Sequence, residues 1–248
     1  MNLVVDIGNT RVKYAVMEAG ECVAERSEEV FSAASVDELC RLYPVAAAIV
    51  SSTRGDASEI VGALRARGIR CLEFGPATPV PIGCDYLTPE TLGRDRLAAA
   101  VGVAVLWPGR EVLLVDFGTA ITIDRVSADG VFLGGCISPG LRMRFRALHE
   151  FTASLPLCEA EESEEPEPLG RSTRGAILSG VVQSIRFEIE GHIARMRREI
   201  DDPCVIFTGG DAKYFAKRIK NTIFANRNPV FCGLDRILEF NVLEEHLP

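Results

Sequence analysis

The sequence has 248 residues, enough for one large domain or for two small domains with proper cores. Hydrophobic residues make up 47% and charged residues 25%, as in ordinary soluble globular proteins. The formal net charge of −8 argues against a nucleic-acid-binding protein, because binding to a phosphate backbone needs a basic face. A nucleotide ligand is not excluded, since a few donors and a metal ion in one local pocket suffice for it.

The chain shows no sign of export or membrane insertion. Its start lacks the basic and apolar regions of a secretory signal peptide. The longest apolar segment, Leu97 to Trp107, is about half of the roughly 20 residues needed to cross a bilayer. The eight cysteines form no Cys-x-x-Cys pair, so they indicate neither a zinc site nor a redox motif. We therefore expect a cytoplasmic protein with free thiols and no membrane partner.

Short apolar runs bracketed by turn residues predict a set of strands at the start of the chain, followed by alternating helices and strands. The predicted elements are strands Leu3–Val5, Val12–Met17 and Cys22–Arg26, helix Val36–Leu42, strand Ala46–Val50, helix Ala57–Arg67 and strand Arg70–Phe74. A proline-rich segment, Phe74–Pro81, and an apolar helix around Thr91–Trp107 lead to the second half.

A similar order of elements recurs from Val112 onward, at an offset of about 110 residues. This approximate repeat predicts two α/β domains, residues 1–107 and 108–248, each led by three consecutive strands. The long helix of the second half has an apolar stripe, which packs on its own sheet or on a second subunit. The elements predicted are strands Leu113–Val115, Ile121–Val126 and Val131–Cys136, helices Gly140–His149 and Thr173–Ile200, strand Val205–Thr208 and a helix from Ala212.

One segment is expected to have neither helix nor strand. The run Glu159–Pro168 combines a dense set of acidic residues with two prolines, which is typical of a solvated loop. Its acidic residues have no spacing that suggests metal binding.

An Asp-x-Gly turn stands at the same place in each predicted domain. Taken alone, Asp6-Ile7-Gly8-Asn9-Thr10 fits a hairpin turn with positive φ at glycine and asparagine as well as it fits a phosphate loop. In a phosphate loop, glycine lets the backbone approach phosphate oxygens and the aspartate holds Mg²⁺ through water. The second copy, Asp116-Phe117-Gly118-Thr119-Ala120, favours a nucleoside triphosphate bound between facing turns.

Three further features each have two interpretations. The glycines of Thr208-Gly209-Gly210-Asp211 allow close approach to adenosine or cap a helix. Lys13 reaches a phosphate or is an ordinary exposed strand lysine. Asp95, between Arg94 and Arg96, is a common first-turn helix acid or a rigid carboxylate that accepts a proton from a substrate hydroxyl.

As an ordered set, these motifs resemble the superfamily of acetate and sugar kinases, actin and heat-shock chaperone ATPases, and within it the type III pantothenate kinases. The motifs that carry the resemblance are Asp6–Thr10 with Lys13, Tyr86 before Gly93–Arg96, Asp116–Ala120, Gly134–Leu141, Thr152–Pro156, Gly170–Thr173 and Thr208–Asp211. Tyr14 departs from the pattern, since a small residue, often glycine, is expected there.

The resemblance implies an α/β fold of two duplicated ribonuclease H-like (actin-like ATPase) domains with a cleft between them. It also implies a homodimer whose substrate pocket is completed at the subunit interface. The implied reaction transfers the γ-phosphoryl group of ATP to pantothenate, giving 4′-phosphopantothenate in the first step of coenzyme A biosynthesis.

The resemblance also assigns residues. Asp95 would be the proton acceptor, Asp116 would bind the monovalent cation, K⁺ or NH₄⁺, and Asp6 would hold Mg²⁺ through water. ATP would be bound by Asp6, Ile7, Gly8, Asn9, Thr10, Arg11, Val12, Lys13 and Thr119, and pantothenate by Tyr86, Gly93, Arg94, Asp95, Arg96 and Thr173.

Two alternatives remain at this point. One is another small-molecule kinase or a phosphatase of the same superfamily, against which Tyr86 and the Gly-x-Asp-Arg motif speak. The other is a non-catalytic nucleotide-binding transcriptional accessory protein, against which the retention of Asp6, Asp95 and Asp116 and the acidic charge speak.

Overall fold

The computed structural model describes residues 1–220 and 222–243, which form an α/β protein. Its strands are β1 (Asn2–Ile7), β2 (Val12–Glu18), β3 (Glu21–Glu28), β4 (Ala47–Ser52), β5 (Arg70–Glu73), β6 (Gly83–Cys84), β7 (Val112–Phe117), β8 (Ala120–Val126), β9 (Val131–Pro139), β10 (Cys204–Thr208) and β11 (Ile223–Phe224). Its helices are α1 (Ala33–Leu42), α2 (Ser58–Arg65), α3 (Arg94–Leu106), α4 (Leu141–Glu150), α5 (Thr173–Glu199), α6 (Ala212–Ala216) and α7 (Pro229–Leu243).

Contacts between residues divide the chain into two compact units. The first contains Met1–Arg110, Val126–Gly134 and the described residues from Asn226 onward, and the second contains Glu111–Arg125 and Gly135–Ala225. By this grouping α7 belongs to the first unit. The two-domain division between residues 107 and 108 stays a prediction.

The first unit is built on a five-stranded sheet in the order β3-β2-β1-β4-β5. β2 is antiparallel to β1 and β3, whereas β4 is parallel to β1 and β5. Leu3, Val5 and Val50 point to one face, where they form a core with α1 and α2. Because successive strand residues point to opposite faces, Asn2 lies on the other side and donates a hydrogen bond to Asp235 of α7 at 2.8 Å.

Tyr14, the departure from the family pattern, lies on the same face as the α1–α2 core. Its ring packs on Phe31 with 4.6 Å between ring centroids, and its hydroxyl donates to Glu28 Oε1 at 2.5 Å. Burial, followed by the hydrogen bond to Glu28, raises the pKa of Tyr14 to about 12. Since Lys13 is the preceding strand residue, its side chain points to the opposite face, away from the bulk of Tyr14.

We expect Tyr14 to stabilise the fold only while its phenol is protonated. Because its pKa in the folded state lies above the ordinary value of 10.0, this stabilisation is complete below that value and is lost as pH rises toward 12. Urea unfolding of the wild type and of Tyr14→Phe at about pH 9 and about pH 11.5 measures the effect. The difference in unfolding free energy between the two proteins is expected to shrink at the higher pH, and an unchanged difference would contradict the assignment.

The second sheet has six strands in the order β11-β10-β7-β8-β9-β6, with β10 parallel to both β7 and β11. In the second unit, α5 covers this sheet. The apolar stripe of α5, including Ile185, Ile189 and Ile193, is buried in one core with Phe117 and Val205. The stripe therefore packs on its own sheet, the first of the two options that the sequence left open.

The acidic segment Glu159–Pro168 has no helix or strand, as expected. Its carboxylates nevertheless have specific partners. Glu164 Oε1 and Oε2 accept hydrogen bonds from Arg174 at 2.7 and 3.0 Å, and Glu165 Oε2 lies 2.8 Å from Arg218 Nε. The segment is thus attached to the first turn of α5 and to the residues that follow α6.

Two sequence expectations about chemistry also have an outcome in the structure. All eight cysteines are free thiols, as predicted. No helix in the part of the chain that the structure describes is both long and apolar enough to cross a membrane.

Candidate active site

Asp6 lies near the end of β1, on the sheet face opposite the α1–α2 core. The strand register pairs it with Lys13 on β2 and with Ser51 on β4, and side chains of such cross-strand pairs share a face. Asp6 is only 9% exposed, whereas Lys13 is partly exposed. The acid and the lysine that the sequence assigned to ATP binding therefore stand side by side.

The loop between β1 and β2 covers residues 8–11. The N–H of Gly8 donates to the carbonyl of Arg11 at 3.1 Å, while Asn9 and Thr10 are exposed. Neither Gly8 nor Asn9 has a positive φ. No left-handed conformation requires these two residues, yet a Cβ on Gly8 would lie 3.2 Å from the Arg11 carbonyl oxygen, so the loop fits both the hairpin-turn and the phosphate-loop interpretation.

The remaining predicted residues of this loop have structural partners. Ile7 and Val12 are buried strand residues, so only their main chain is available to a nucleotide. Arg11 is held by Ser27 on β3, because its Nε donates to the Ser27 hydroxyl at 2.8 Å and its Nη2 donates to the Ser27 carbonyl at 2.7 Å. The structure gives Arg11 a role in fixing the loop, and its contact with ATP stays a prediction.

The second Asp-x-Gly turn lies next to the Gly-Gly motif, both in the second unit. Asp116, at the end of β7, is paired in register with Thr208 at the end of β10. A Cβ on Gly209 would lie 2.3 Å from Asp116 Oδ1, and the φ of Gly209 is +96°, so glycine is required there on both counts. The sequence motifs around Asp116 and Gly209 thus form one edge of one sheet.

The turn after Asp116 is tighter than the one after Asp6. It has two residues, Gly118 and Thr119, between its strands, against residues 8–11 in the first turn. Thr119 is exposed, and its carbonyl accepts a hydrogen bond from the N–H of Gly140 at 3.0 Å. The two halves are therefore approximate rather than identical copies, and the second turn presents fewer backbone donors.

Asp95 lies in the first turn of α3. Its Oδ1 accepts a hydrogen bond from the N–H of Arg96 at 2.9 Å, one of the N–H groups that a helix N-terminus leaves without a helical partner. A Cβ on Gly93 would lie 2.6 Å from this oxygen, so glycine leaves the space that the carboxylate occupies. Asp95 is partly exposed. The structure thus holds this carboxylate in one orientation while it stays accessible.

Arg94, which precedes Asp95, is buried against the main chain. Its Nη2 donates to the carbonyl of Pro89 at 2.6 Å, and its Nε donates to the carbonyl of Leu92 at 2.9 Å. These bonds fix the turn that leads into α3. A direct contact between Arg94 and pantothenate stays a prediction.

Arg96, on the other side of Asp95, is held by aromatic rings. Its guanidinium carbon lies 5.8 Å from the ring centroid of Tyr86 and 5.6 Å from that of Phe132, within the range of cation–π attraction. The structure therefore brings together Tyr86 and Arg96, two residues predicted to bind pantothenate. Phe132 was not predicted, because it lies on β9 and the sequence carries no signal that relates it to Tyr86.

Thr173 belongs to the second unit, where it is the exposed first residue of α5. The preceding Ser172 caps the helix by accepting a hydrogen bond from the N–H of Gly175 at 3.1 Å. Thr173 also lines an open groove of about 910 Å³ between α4 and α5. The groove is mainly apolar, and its lining includes Met143, Ala147, Leu148, Phe151, Leu155, Ala176, Ile177 and Val181.

The oxygen donors of the two turns suit the predicted ions. Mg²⁺ commonly uses one or two carboxylates together with water and phosphate oxygens, so the single carboxylate of Asp6 fits. Asp116 offers a carboxylate beside the main chain of Gly209, and such oxygen donors suit a hard monovalent cation. Within residues 1–220 and 222–243, no group of three or more His, Cys, Asp or Glu side chains is placed to hold a metal ion by itself.

Solved structures with low sequence identity share this fold. A Campylobacter jejuni protein described as a Baf family transcriptional activator superimposes with a TM-score of 0.65 at 20% identity, covering 97% of this chain and 99% of that one. The activator of the 2-hydroxyisocaproyl-CoA dehydratase from Clostridium difficile, with bound ADPNP, gives a TM-score of 0.54 at 14% identity, covering 99% and 96%. These similarities confirm the predicted actin-like ATPase fold.

Comparison with proteins of higher identity is more specific. The model of the type III pantothenate kinase family matches residues 2–195. A type III pantothenate kinase from Phocaeicola vulgatus is 41% identical over 241 residues, which cover 97% of this chain and 99% of that protein. One from Christiangramia forsetii is 39% identical over 245 residues, with 97% and 99% coverage. Because the family model matches most of the chain and both relatives align over nearly all of it, the chain belongs to the type III pantothenate kinase family.

Proposed function

We propose that this chain carries out the reaction of its family, transfer of the γ-phosphoryl group of ATP to the primary hydroxyl of pantothenate, and so starts coenzyme A biosynthesis. Full-length relatives about 40% identical to this chain have this activity in their names. The observation that carries the proposal is Asp95, a carboxylate held in one orientation at the start of α3, beside the Tyr86–Arg96 pair.

Phosphoryl transfer has a loose transition state, so its catalysis depends mainly on positioning and on charge stabilisation. The exposed loop at Asn9 and Thr10 offers backbone and hydroxyl donors to the phosphates, and Lys13 adds a point charge beside Asp6. Thr119 is proposed to add a hydroxyl donor. Asp6 is proposed to hold Mg²⁺ through water and Asp116 a monovalent cation, which when bound supply positive charge to the phosphates.

Asp95 is proposed to orient the pantothenate hydroxyl and to accept its proton as transfer proceeds. The hydrogen bond from the N–H of Arg96 fixes Oδ1, so the carboxylate loses little freedom when substrate binds. The half-buried ring of Tyr86, supported by Arg96, offers an apolar surface for the two methyl groups of pantothenate.

We further propose that two copies of the chain form a homodimer through the groove between α4 and α5. Exposed apolar side chains surround this groove, with Phe151 at 85% and Met143 at 46% exposure, and a contiguous apolar surface of this kind marks interaction sites. Thr173, predicted to contact pantothenate, lines the same groove. A second copy seated there would cover Thr173 and thereby bury a residue that is proposed to contact pantothenate.

Met143→Glu is expected to convert the dimer to a monomer, because it places a charge in the apolar groove. It is expected to raise the KM for pantothenate as well, since Thr173 would lose its cover. Analytical ultracentrifugation and steady-state kinetics measure the two effects. Val105→Glu is the matched control, since Val105 on α3 is 47% exposed and outside the groove. Dissociation by both variants, or by neither, would contradict this interface.

The proposed function is tested by measuring ADP formation with and without pantothenate, in K⁺ and in Na⁺. We expect ADP to form only with pantothenate and faster in K⁺. ADP formation driven by a different alcohol or acid from a substrate panel would indicate another kinase of the superfamily. ATP binding without turnover on any substrate would indicate a non-catalytic accessory protein.

A further inference from the structure

The residues that follow β4 lie directly beside the loop between β1 and β2, the candidate phosphate loop. The N–H and the hydroxyl of Thr53 both donate to the carbonyl of Ile7, at 2.9 and 3.1 Å. One residue further, Nε of Arg54 donates to the carbonyl of Gly8. Both contacts lie inside the first unit. Two consecutive residues after β4 are therefore bound to two consecutive carbonyls at the base of the loop.

Ser51, at the end of β4, carries a buried hydroxyl without a partner. Its side chain is 0% exposed, and within the described chain its Oγ makes no hydrogen bond. Parallel register with Asp6 places both side chains on the same sheet face. A buried hydroxyl without a protein partner costs free energy unless a water or a ligand oxygen completes its hydrogen bond, so Ser51 is a candidate for such a contact beside Asp6.

Arg54 is exposed, yet its side chain is anchored. The bond from Nε to the Gly8 carbonyl fixes the guanidinium plane at the edge of the phosphate loop. In the described ranges its Nη1 and Nη2 make no ion pair with a carboxylate. Such a planar group with two remaining nitrogens suits phosphate oxygens, because it can donate two parallel hydrogen bonds.

We propose that Ser51 and Arg54 are additional parts of the nucleotide site. Arg54 donates to phosphate oxygens of the nucleoside triphosphate, and the Ser51 hydroxyl bonds to an oxygen next to Asp6, either of a phosphate or of a metal-bound water. The proposal rests on the proposed function in that it takes a nucleoside triphosphate as the ligand of the loop. It adds two contacts, one from β4 and one from the residues that follow it, a segment that carries none of the sequence motifs.

The role of Arg54 is tested by calorimetric binding of a non-hydrolysable ATP analogue and of adenosine to the full-length chain. Arg54→Ala is expected to weaken binding of the triphosphate roughly ten- to hundred-fold and to leave adenosine unchanged. Arg54→Lys is expected to show an intermediate loss, because it keeps the charge without the planar group. Arg70→Ala, at an exposed arginine on β5 of the same unit, is the control and is expected to bind both ligands normally.

Unchanged triphosphate affinity in Arg54→Ala, or an equal loss for adenosine, would overturn the Arg54 assignment. The equal loss would mean that Arg54 only shapes the loop. This readout is separate from the proposed function. Absence of pantothenate-dependent turnover in the wild-type protein would contradict the kinase proposal. The ratio of the affinities for the ATP analogue and for adenosine would still decide whether Arg54 binds phosphate.

Ser51→Ala gives a second test, in which the thermal stability and the affinity for the triphosphate are expected to respond differently. The thermal midpoint of the nucleotide-free protein is expected to hold or rise, since an unsatisfied buried hydroxyl is removed, while affinity for the triphosphate with Mg²⁺ falls several-fold. A loss of affinity seen only with Mg²⁺ assigns the bond to a metal-bound water, and a loss of affinity also in the presence of a chelator assigns it to phosphate.

The control is Ser179→Ala, which removes a buried hydroxyl that donates to the Pro168 carbonyl at 3.1 Å. Ser179→Ala is expected to lower the thermal midpoint and to leave the affinity for the triphosphate unchanged. A lower midpoint with unchanged affinity in Ser51→Ala would refute the proposal.

Discussion

Asp95→Asn is expected to keep nucleotide binding and to lower kcat by roughly 10²–10⁴-fold. Asparagine has nearly the same shape, so its amide oxygen can still accept the hydrogen bond that Arg96 N–H gives to Asp95 at 2.9 Å. Gly93 leaves the same space for either side chain. The variant therefore removes the proposed proton acceptor and little else, which separates catalysis from folding.

The measurements are kcat with saturating pantothenate and the Kd of a non-hydrolysable ATP analogue. Asp129→Asn is the control, because Asp129 is an exposed acid in the turn between β8 and β9 of the same unit, and its kcat is expected to stay within about two-fold of wild type. A near-normal kcat in Asp95→Asn would end its assignment as proton acceptor. A strongly weakened affinity for the ATP analogue together with a strongly reduced kcat would instead assign Asp95 to nucleotide binding.

Much of the fold could be predicted because local sequence and tertiary structure agree. The strands and helices of the first half follow short β-branched runs separated by turn residues, and the observed bounds of β1, β2 and α2 lie close to the predicted ones. The repeated Asp-x-Gly motif was also informative, since the first copy marks the end of β1 and the second copy the end of β7.

Other parts of the fold depend on contacts that one sequence does not encode. Helix α7 was not predicted, because its buried residues, among them Phe231, Cys232 and Ile237, spread over more than half of its circumference rather than forming one narrow stripe of helical period. The location of the α5 stripe likewise needed the structure, since an apolar stripe suits a sheet and a second subunit equally well.

The candidate site shows the same division. The aspartates could be predicted from local motifs, whereas Ser51 and Phe132 come next to Asp6 and Arg96 only through strand register and tertiary packing. Ser51 in particular lies 45 positions after Asp6 in the chain. Only the parallel pairing of β1 with β4 brings the two side chains onto one face. Periodicity predicts faces of single elements, but it does not predict which elements become neighbours.

Gly233→Ala, in the helix that the sequence did not reveal, is expected to lower the free energy of unfolding by about 3 kcal/mol. A Cβ there would lie 1.7 Å from the carbonyl oxygen of Ala98 on α3 and 2.9 Å from the backbone nitrogen of Gly102. These are backbone atoms of a helix, which cannot rotate away as a side chain can. The two helices would have to separate, and their buried side chains would lose packing contacts.

Gly62→Ala is the matched control, because Gly62 lies inside α2 of the same unit and its Cβ would meet nothing within 4 Å. It is expected to stabilise the fold by about 0.5–1 kcal/mol, since alanine loses less conformational entropy in a helix than glycine. Urea unfolding of both variants measures the two opposite shifts. Destabilisation by neither variant would contradict the close α3–α7 contact. Because α3 begins with the turn that holds Asp95, the folded fraction of Gly233→Ala is also expected to have a reduced kcat, which would link this helix pair to the position of the proposed proton acceptor.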